Sequence, residues 1–264
     1  MENIKITISG ELGSGKTVLS KLLCEKMDFK IISVGGIQRE LAEKFGMTTL
    51  EFNQYMETHP EIDIDCDKKV VEYGLMDANL ILDSRLAWHF VPHAFKIHLI
   101  VDINTAGTRI FNDKVRKNEQ NNDLQDTINK INSRKASECK RFREQYGVEI
   151  DNFYNYDLVI DSSHITPENL ANFVIDKLEK WKKGIQFPNI WLSPKNLKPT
   201  LTNQEEPIHS NKDQKESNIK NEANEAEMIE VIKIENTFFV KKGQNACSAS
   251  FPTELDLVPA LILN

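Results

Sequence analysis

The sequence predicts an α/β fold of three layers, with helices on both faces of a parallel five-stranded sheet. Two observations lead to this prediction. Over residues 1–183, short apolar runs alternate with segments in which apolar residues recur at helical spacing. Such alternation is typical of a parallel sheet, because each strand is followed by a crossover helix that packs on one face. A glycine-rich segment, residues 10–17, lies between the first run and the first helical segment.

The five predicted strands are short runs rich in isoleucine, valine and leucine. They are nearly continuous apolar stretches, which favours burial on both faces of the sheet. Turn residues such as Gly35 and Gly36 bound them. The runs cover residues 4–8, 29–34, 79–84, 96–103 and 156–161.

The predicted helices lie between these strands. Thr48 and Glu51 have the spacing of a capping box, which begins a helix. Thr166 and Pro167 place a cap residue and a proline at the start of the closing helix. Residues 105–146 are dense in charged and amide side chains, so they predict either two solvated helices or a mobile arm. The other helical segments follow residue 17 and cover 37–45 and 61–78.

The chain changes character after Gly184. Residues 193–227 contain few apolar side chains, which predicts a flexible C-terminal tail that cannot bury enough surface to fold by itself. An apolar pattern returns around residues 235–237 and predicts a small hairpin that must dock on something. We therefore expect a domain at 1–183, a flexible linker at 184–227 and an extension at 228–264.

Charge and cysteine content limit the kinds of partner. The formal net charge of −7 argues against a general nucleic-acid or membrane-surface protein, both of which usually carry a basic surplus. No apolar run is long enough to cross a membrane. The four cysteines are scattered without a C-x-x-C pair, which is typical of reduced thiols in a cytoplasmic protein.

The segment Gly10–Thr17, GELGSGKT, matches the phosphate-binding pattern G-x-x-x-x-G-K-[ST]. In this motif, backbone N–H groups and a helix N-terminus surround the phosphates of a nucleoside triphosphate. Lys16 would contact the transferred phosphate, and the Thr17 hydroxyl would bind Mg²⁺. We therefore predict a P-loop NTPase fold that uses ATP and Mg²⁺. The predicted cofactor-binding residues are Gly10, Leu12, Gly13, Ser14, Gly15, Lys16, Thr17, Val18 and Arg109.

Three polar side chains follow predicted strands. Asp83 ends one strand, as expected for an acid that holds Mg²⁺, although an aspartate can also cap the next turn. Arg39 and Arg85 each come shortly after a strand. Because the carboxyl ends of parallel strands share one edge, both arginines can converge on a phosphate there. Surface arginines without a site are the alternative.

Two pairs of arginines point to a lid. Arg109 and Arg116 are seven residues apart, as are Arg134 and Arg141, so each pair shares one helical face. Helices that carry such pairs can close over a polyphosphate and exclude water. A solvated arm with ion pairs to acids such as Glu138 is the alternative.

Residues 1–183 resemble the archaeal-type cytidylate kinases among the nucleoside monophosphate kinases. The resemblance rests on GELGSGKT, SVGGIQRELAEKFGMTTLEFNQYMETHPEIDIDCDKK, ILDSRLAWHF and KRFREQYGVEIDNFYNYDLVIDSS, in that order. It implies an adenylate-kinase-like fold with a helical lid, and transfer of the ATP γ-phosphate to CMP or dCMP. By position it implies Ser33, Gly36, Arg39 and Arg85 in the monophosphate site and Arg134 and Arg141 in the lid. We expect a monomer whose partners are small molecules, with no general nucleic-acid or membrane binding.

The acceptor pocket departs from the family pattern at the turn Asp83-Ser84-Arg85, where relatives usually have Glu-Gly-Arg. Selection of cytosine needs an acceptor for its exocyclic amine. Asp63 and Asp67 lie in the segment that borders the pocket, and we prefer Asp67 for that role.

Two alternatives stay open from the sequence. The first is a kinase of the same class with another acceptor, such as AMP, shikimate or dephospho-coenzyme A. The second is a nucleotide-dependent regulatory module whose tail binds a partner protein.

Overall fold

The computed structural model describes residues 3–113, 122–199, 228–243 and 256–263. The helices and strands of residues 1–183 alternate as expected. The strands are β1 (Lys5–Gly10), β2 (Lys30–Ser33), β3 (Leu80–Asp83), β4 (Phe95–Ile100) and β5 (Leu158–Asp161). The helices are α1 (Lys16–Lys26), α2 (Val34–Lys44), α3 (Thr49–Met56), α4 (Pro60–Leu75), α5 (Ala87–Phe90), α6 (Ile103–Phe111), α7 (Leu124–Tyr146) and α8 (Pro167–Lys182).

The five predicted strands form the parallel part of the sheet. They lie in the order β2-β3-β1-β4-β5, and every neighbouring pair is parallel. The register places Asp83 beside Ser33 on one side and Ile8 on the other. The ends of β1, β2 and β3 therefore meet at one edge, from which the loop after β1 and the turn after β3 emerge.

Local capping explains several element boundaries. The capping box of Thr48 and Glu51 is present at the start of α3, and Thr166 caps α8 with Pro167 at its first position. The strand predicted over 96–103 ends earlier, at Ile100. The reason is that the Asp102 side chain accepts the amides of Asn104 and Thr105 and begins α6.

Residues 105–146 contain two helices, α6 and the 23-residue α7. Helix α7 packs against the body of the protein, because Ile131, Phe142 and several charged residues on it are buried. A mobile arm is therefore wrong for the described part of this region. Residues 114–121, with the predicted lid residue Arg116, lie outside the described residues.

The sheet continues beyond residue 183. Strands β6 (Ile190–Leu192), β7 (Leu197–Pro199), β8 (Ile229–Ile234), β9 (Thr237–Lys242) and β10 (Val258–Leu263) extend it in the order β5-β6-β10-β8-β9-β7. The described residues thus form one ten-stranded sheet. The prediction of a flexible linker is wrong over 190–199, where Ile190, Leu192 and Leu197 are buried. Residues 200–227 lie outside the described residues, and the division into domains stays a prediction.

The predicted hairpin is present as the antiparallel pair β8 and β9. Its turn places Glu235 at a φ of 52°, in a region that non-glycine residues rarely adopt. The hairpin docks through Val231, Phe238 and Val240, which share one apolar core with Phe142 and Phe153. This shared core is why a hairpin that would be marginal alone is stable here.

Candidate nucleotide-binding cleft

Residues 10–17, the phosphate loop, connect the end of β1 to the start of α1 at the carboxyl edge of the sheet. Gly10 has a φ of +141°, and a Cβ there would lie 2.3 Å from the carbonyl oxygen of Leu99. At Gly13, with a φ of +76°, a Cβ would lie 2.8 Å from the backbone of Ala106. Both positions require glycine, because the loop turns tightly against β4 and α6.

Lys16 folds back along the loop. Its Nζ donates hydrogen bonds to the carbonyl oxygens of Gly10 at 2.9 Å and Glu11 at 2.7 Å. Burial, and then the nearby charge of Arg85, holds the pKa of Lys16 well below its ordinary value. The ammonium group is therefore a cation in an unfavourable site, which an incoming phosphate would stabilise.

Glu11 anchors the phosphate loop to two other elements. Its Oε2 accepts the amide of Val101 at 2.9 Å, and its Oε1 accepts from Lys135 Nζ at 2.8 Å. Lys135 is on α7 and also pairs with Asp151 at 3.4 Å. Sequence reasoning missed this role, because the phosphate-binding pattern leaves the residue after Gly10 unspecified.

A cleft of about 1210 Å³ opens in front of the phosphate loop. Most of the predicted site residues line it, although they come from six segments of the chain. They are residues 12–18, Gly36, Arg39, Asp67, Asp83, Arg85, Arg109 and Arg134. Pockets that hold a single drug-sized ligand measure about 300–1,000 Å³, so this cleft is larger than that range.

Arg141 does not line the cleft, which corrects the prediction that it contacts phosphates. It is only 4% exposed and lies 2.5 Å from Asp63 through its Nε. Its Nη1 donates to the carbonyl oxygen of Asn53 at 3.0 Å. The buried guanidinium is thus used to join α7 to α3 and α4, since a buried charge needs a partner.

Arg109 contacts the phosphate loop rather than reaching across it. It donates to the carbonyl oxygens of Gly13 at 3.2 Å, Ser162 at 2.9 Å and Ser163 at 3.2 Å. Burial lowers the pKa of its guanidinium. Arg109 therefore ties the loop to the end of β5.

Asp83 and Thr17 both line the cleft and are the side chains that could hold a magnesium ion. Asp83 is 7% exposed and accepts a hydrogen bond from Ser33 Oγ at 3.3 Å. Ser33 is not among the residues that line the cleft, and its Oγ accepts the amide of Gly36 at 3.2 Å at the start of α2. One carboxylate and one hydroxyl suit Mg²⁺, which usually keeps several water ligands and takes few from the protein. Within the described ranges, no group of three or more His, Cys, Asp or Glu side chains could hold a metal.

Glu138 is the main site residue that the sequence analysis missed. Its two carboxylate oxygens bind Arg85 Nε at 2.8 Å and Arg134 Nε at 3.0 Å. It is 4% exposed. Burial by itself would raise the pKa of Glu138, but the charges of Arg85, Arg134 and Arg141 outweigh burial and lower it to about 2. The i, i+4 spacing from Arg134 is the available signal, but in the sequence analysis Glu138 appears only as an ion-pair partner in the alternative of a solvated arm.

Two carboxylates of α4, those of Asp63 and Asp67, also line the cleft. Asp67 accepts a hydrogen bond from the hydroxyl of Tyr146 at 2.6 Å. Burial raises the pKa of Asp67 to about 6, against the opposing effect of that hydrogen bond.

A phosphate loop at the carboxyl edge of a parallel sheet, facing a cleft that Arg39, Arg85 and Arg134 line, defines a P-loop nucleotide-binding protein. Residues 5–164 match the Cytidylate kinase-like family, and the chain belongs to this family. It is 35% identical to the cytidylate kinase of Methanocaldococcus jannaschii over 179 residues, which are 67% of this chain and 99% of that protein.

Two further proteins extend the comparison. The chain is 34% identical over 187 residues to an S-adenosylmethionine-dependent nucleotide dehydratase of Lacinutrix mariniflava, and it spans only 38% of the length of that protein. Among solved structures, an uncharacterized protein from Eubacterium ventriosum superposes with a TM-score of 0.51 at 15% identity. That superposition covers 67% of this chain and 99% of the other, and it shows a shared fold. No helix within the described ranges has the length and apolar character needed to cross a membrane.

Proposed function

We propose that this protein transfers the γ-phosphate of ATP to CMP or dCMP. The observation that carries the proposal is one cleft in which the phosphate loop faces Arg39, Arg85 and Arg134. One end of the cleft suits the triphosphate of a donor, and the arginines suit the phosphate of an acceptor. Membership of the cytidylate kinase-like family supports CMP as that acceptor.

Phosphoryl transfer requires mainly that the two phosphates are positioned and that their negative charge is neutralised. The amides of the phosphate loop and Lys16 would hold the β- and γ-phosphates, while Arg39 and Arg85 would hold the acceptor phosphate in line with them. The acceptor oxygen is already anionic, so no dedicated base is needed. Arg134, on α7, would neutralise charge on the transferred group.

Thr17 and Asp83 would hold the Mg²⁺ of the donor. When bound, this ion supplies charge neutralisation at the β- and γ-phosphates. Ser33 would orient the Asp83 carboxylate through its hydrogen bond.

Asp67 would distinguish cytosine from other bases. Its carboxylate can accept a hydrogen bond from the exocyclic amine of cytosine, a donor that uracil lacks. Tyr146 fixes one oxygen of the carboxylate, and this leaves the other for a base. We further propose that the protein acts on small molecules as a cytoplasmic monomer.

The test is a panel of acceptors with ATP and Mg²⁺, run on the full chain. CMP and dCMP should give the highest kcat/KM, with UMP and AMP at least about tenfold lower. Turnover of shikimate or dephospho-coenzyme A in place of any nucleoside monophosphate would replace this proposal by another kinase activity. ATP binding without turnover of any acceptor would favour a regulatory module.

A further inference from the structure

Glu138 connects two arginines that come from different elements. Arg85 follows β3 in the sheet, whereas Arg134 lies one turn before Glu138 on α7. Each arginine binds a different oxygen of the carboxylate, at 2.8 Å and 3.0 Å. The carboxylate is 4% exposed, and both arginines line the cleft.

The geometry of these bonds suits phosphate binding. Both arginines use Nε towards Glu138. Because a guanidinium is planar and presents its donors in a fixed fork, a carboxylate that holds Nε also sets the direction of the whole group. Lys16, Arg85 and Arg134 would repel one another in an empty cleft. Burial has the largest influence on the pKa of Lys16 and lowers it, and Arg85 and Arg134 lower it further. Asp83 and Glu138 raise it, so the charge of Glu138 offsets part of the repulsion among the three cations.

We propose that Glu138 is a positioning residue, which holds Arg85 and Arg134 together against the cleft before the nucleotides bind. The carboxylate thereby fixes α7 relative to the turn after β3. Arg134, the predicted lid residue, and Arg85, the proposed acceptor-binding residue, are then held in fixed positions relative to each other. The catalytic consequence of this arrangement rests on the proposed function, but the positioning itself does not.

The experiment compares Glu138→Gln with Glu57→Gln in the full chain. Glu57 is a matched control because it binds Ser137 and Lys140 of the same helix, at 2.6 Å and 3.0 Å, and does not line the cleft. Glu138→Gln should lower kcat about 10- to 100-fold, since both arginines lose their fixed position. The KM for ATP should change less than kcat, and Glu57→Gln should stay within about twofold of the original chain.

Two results would overturn the proposal. One is a kcat for Glu138→Gln equal to that of Glu57→Gln. The other is a lower KM for CMP at unchanged kcat, because this would show that Glu138 competes with substrate phosphate for the arginines. If Glu138→Gln does not fold, Glu138→Asp keeps the charge but withdraws the carboxylate by one methylene group. It should also lower kcat, and a kcat equal to that of the original chain would contradict the proposal.

A readout without substrate separates this inference from the proposed function. The Arg85 and Arg134 Nε–H groups should give protected ¹⁵N-edited NMR signals, assigned with Arg→Lys variants. Glu138→Gln should remove the protection and Glu57→Gln should retain it. Protected signals in a protein that phosphorylates no acceptor would refute the proposed function alone, whereas absent protection in an active enzyme would refute the role of Glu138.

Discussion

Ser33 Oγ donates a hydrogen bond to Asp83 Oδ2 at 3.3 Å, and this bond joins the carboxyl ends of two adjacent parallel strands. Ser33 also caps α2 by accepting the amide of Gly36. Helix α2 carries Arg39. The Ser33 hydroxyl therefore contacts both Asp83, the proposed magnesium ligand, and the start of the helix that carries the proposed acceptor-binding arginine. The register of β2 and β3, rather than a flexible loop, places Ser33 beside Asp83.

Asp83→Asn should lower kcat by about 100-fold and raise the Mg²⁺ concentration needed for half-maximal activity, because an amide neutralises the metal poorly. Titration of activity with MgCl₂ measures both effects. Asp65→Asn is the control, since Asp65 is a surface residue paired with Lys68. If the two variants need the same Mg²⁺ concentration for half-maximal activity, Asp83 does not bind the metal.

Lys16→Met should abolish measurable transfer, with at least about a 100-fold loss, yet leave Tm without nucleotide unchanged or higher. The pKa of Lys16 is lowered in the folded state, so holding the cation costs stability at neutral pH. That cost disappears only as the pH rises through the interval between the lowered pKa and the ordinary one. Thermal unfolding at pH 7 tests this, and a Tm several degrees lower would contradict it.

The KM for CMP should rise as the pH falls through about 6. Asp67 has a pKa raised to about 6, so below that pH its carboxyl group is protonated and one acceptor for the cytosine amine is lost. The residues Asp63, Tyr146 and Arg141 also influence the pKa of Asp67. The pH dependence of the KM for CMP should nevertheless disappear when Asp67 is replaced.

The matching variants are Asp67→Asn and Asp65→Asn, measured with CMP and UMP from pH 5 to 8. Asp67→Asn should lose the preference for CMP and the pH dependence of its KM together. Asp65→Asn should retain both. If Asp67→Asn keeps the preference for CMP over UMP, a residue other than Asp67 selects the base.

Residues 228–263 should contribute to the stability of the whole protein. Val231 is fully buried in the core that it shares with Phe153, so Val231→Ala should lower the free energy of unfolding by about 2–3 kcal/mol. Ile234 on the same strand is 57% exposed. Ile234→Ala should therefore change the free energy of unfolding by less than about 0.5 kcal/mol. Denaturant unfolding measures both values. Two transitions, of which only one responds to Val231→Ala, would show that the extension unfolds separately.

Local patterns were sufficient to predict much of the fold. The phosphate loop, the capping box of Thr48 and Glu51, and the strand that ends at Asp83 all depend on neighbours within a few residues, and the structure confirms each of these elements. Periodicity failed for α7, because it carries charged residues on its packed face. Arg134, Glu138 and Arg141 look solvated in sequence but are buried in the structure. Glu138 pairs there with Arg85 and Arg141 with Asp63, and both partners come from other elements.

The sequence by itself determined the parallel core, the loop that suits a triphosphate and the family to which the chain is similar, because these follow from short-range spacing and backbone chemistry. Tertiary structure decided which arginines face the cleft. Arg134 faces it with Arg85 through Glu138, while Arg141, seven residues further along the same helix, is held by Asp63. It also decided that the strands after residue 183 complete the sheet. Both outcomes depend on partners far away in the chain, and neither helical spacing nor composition contains that information.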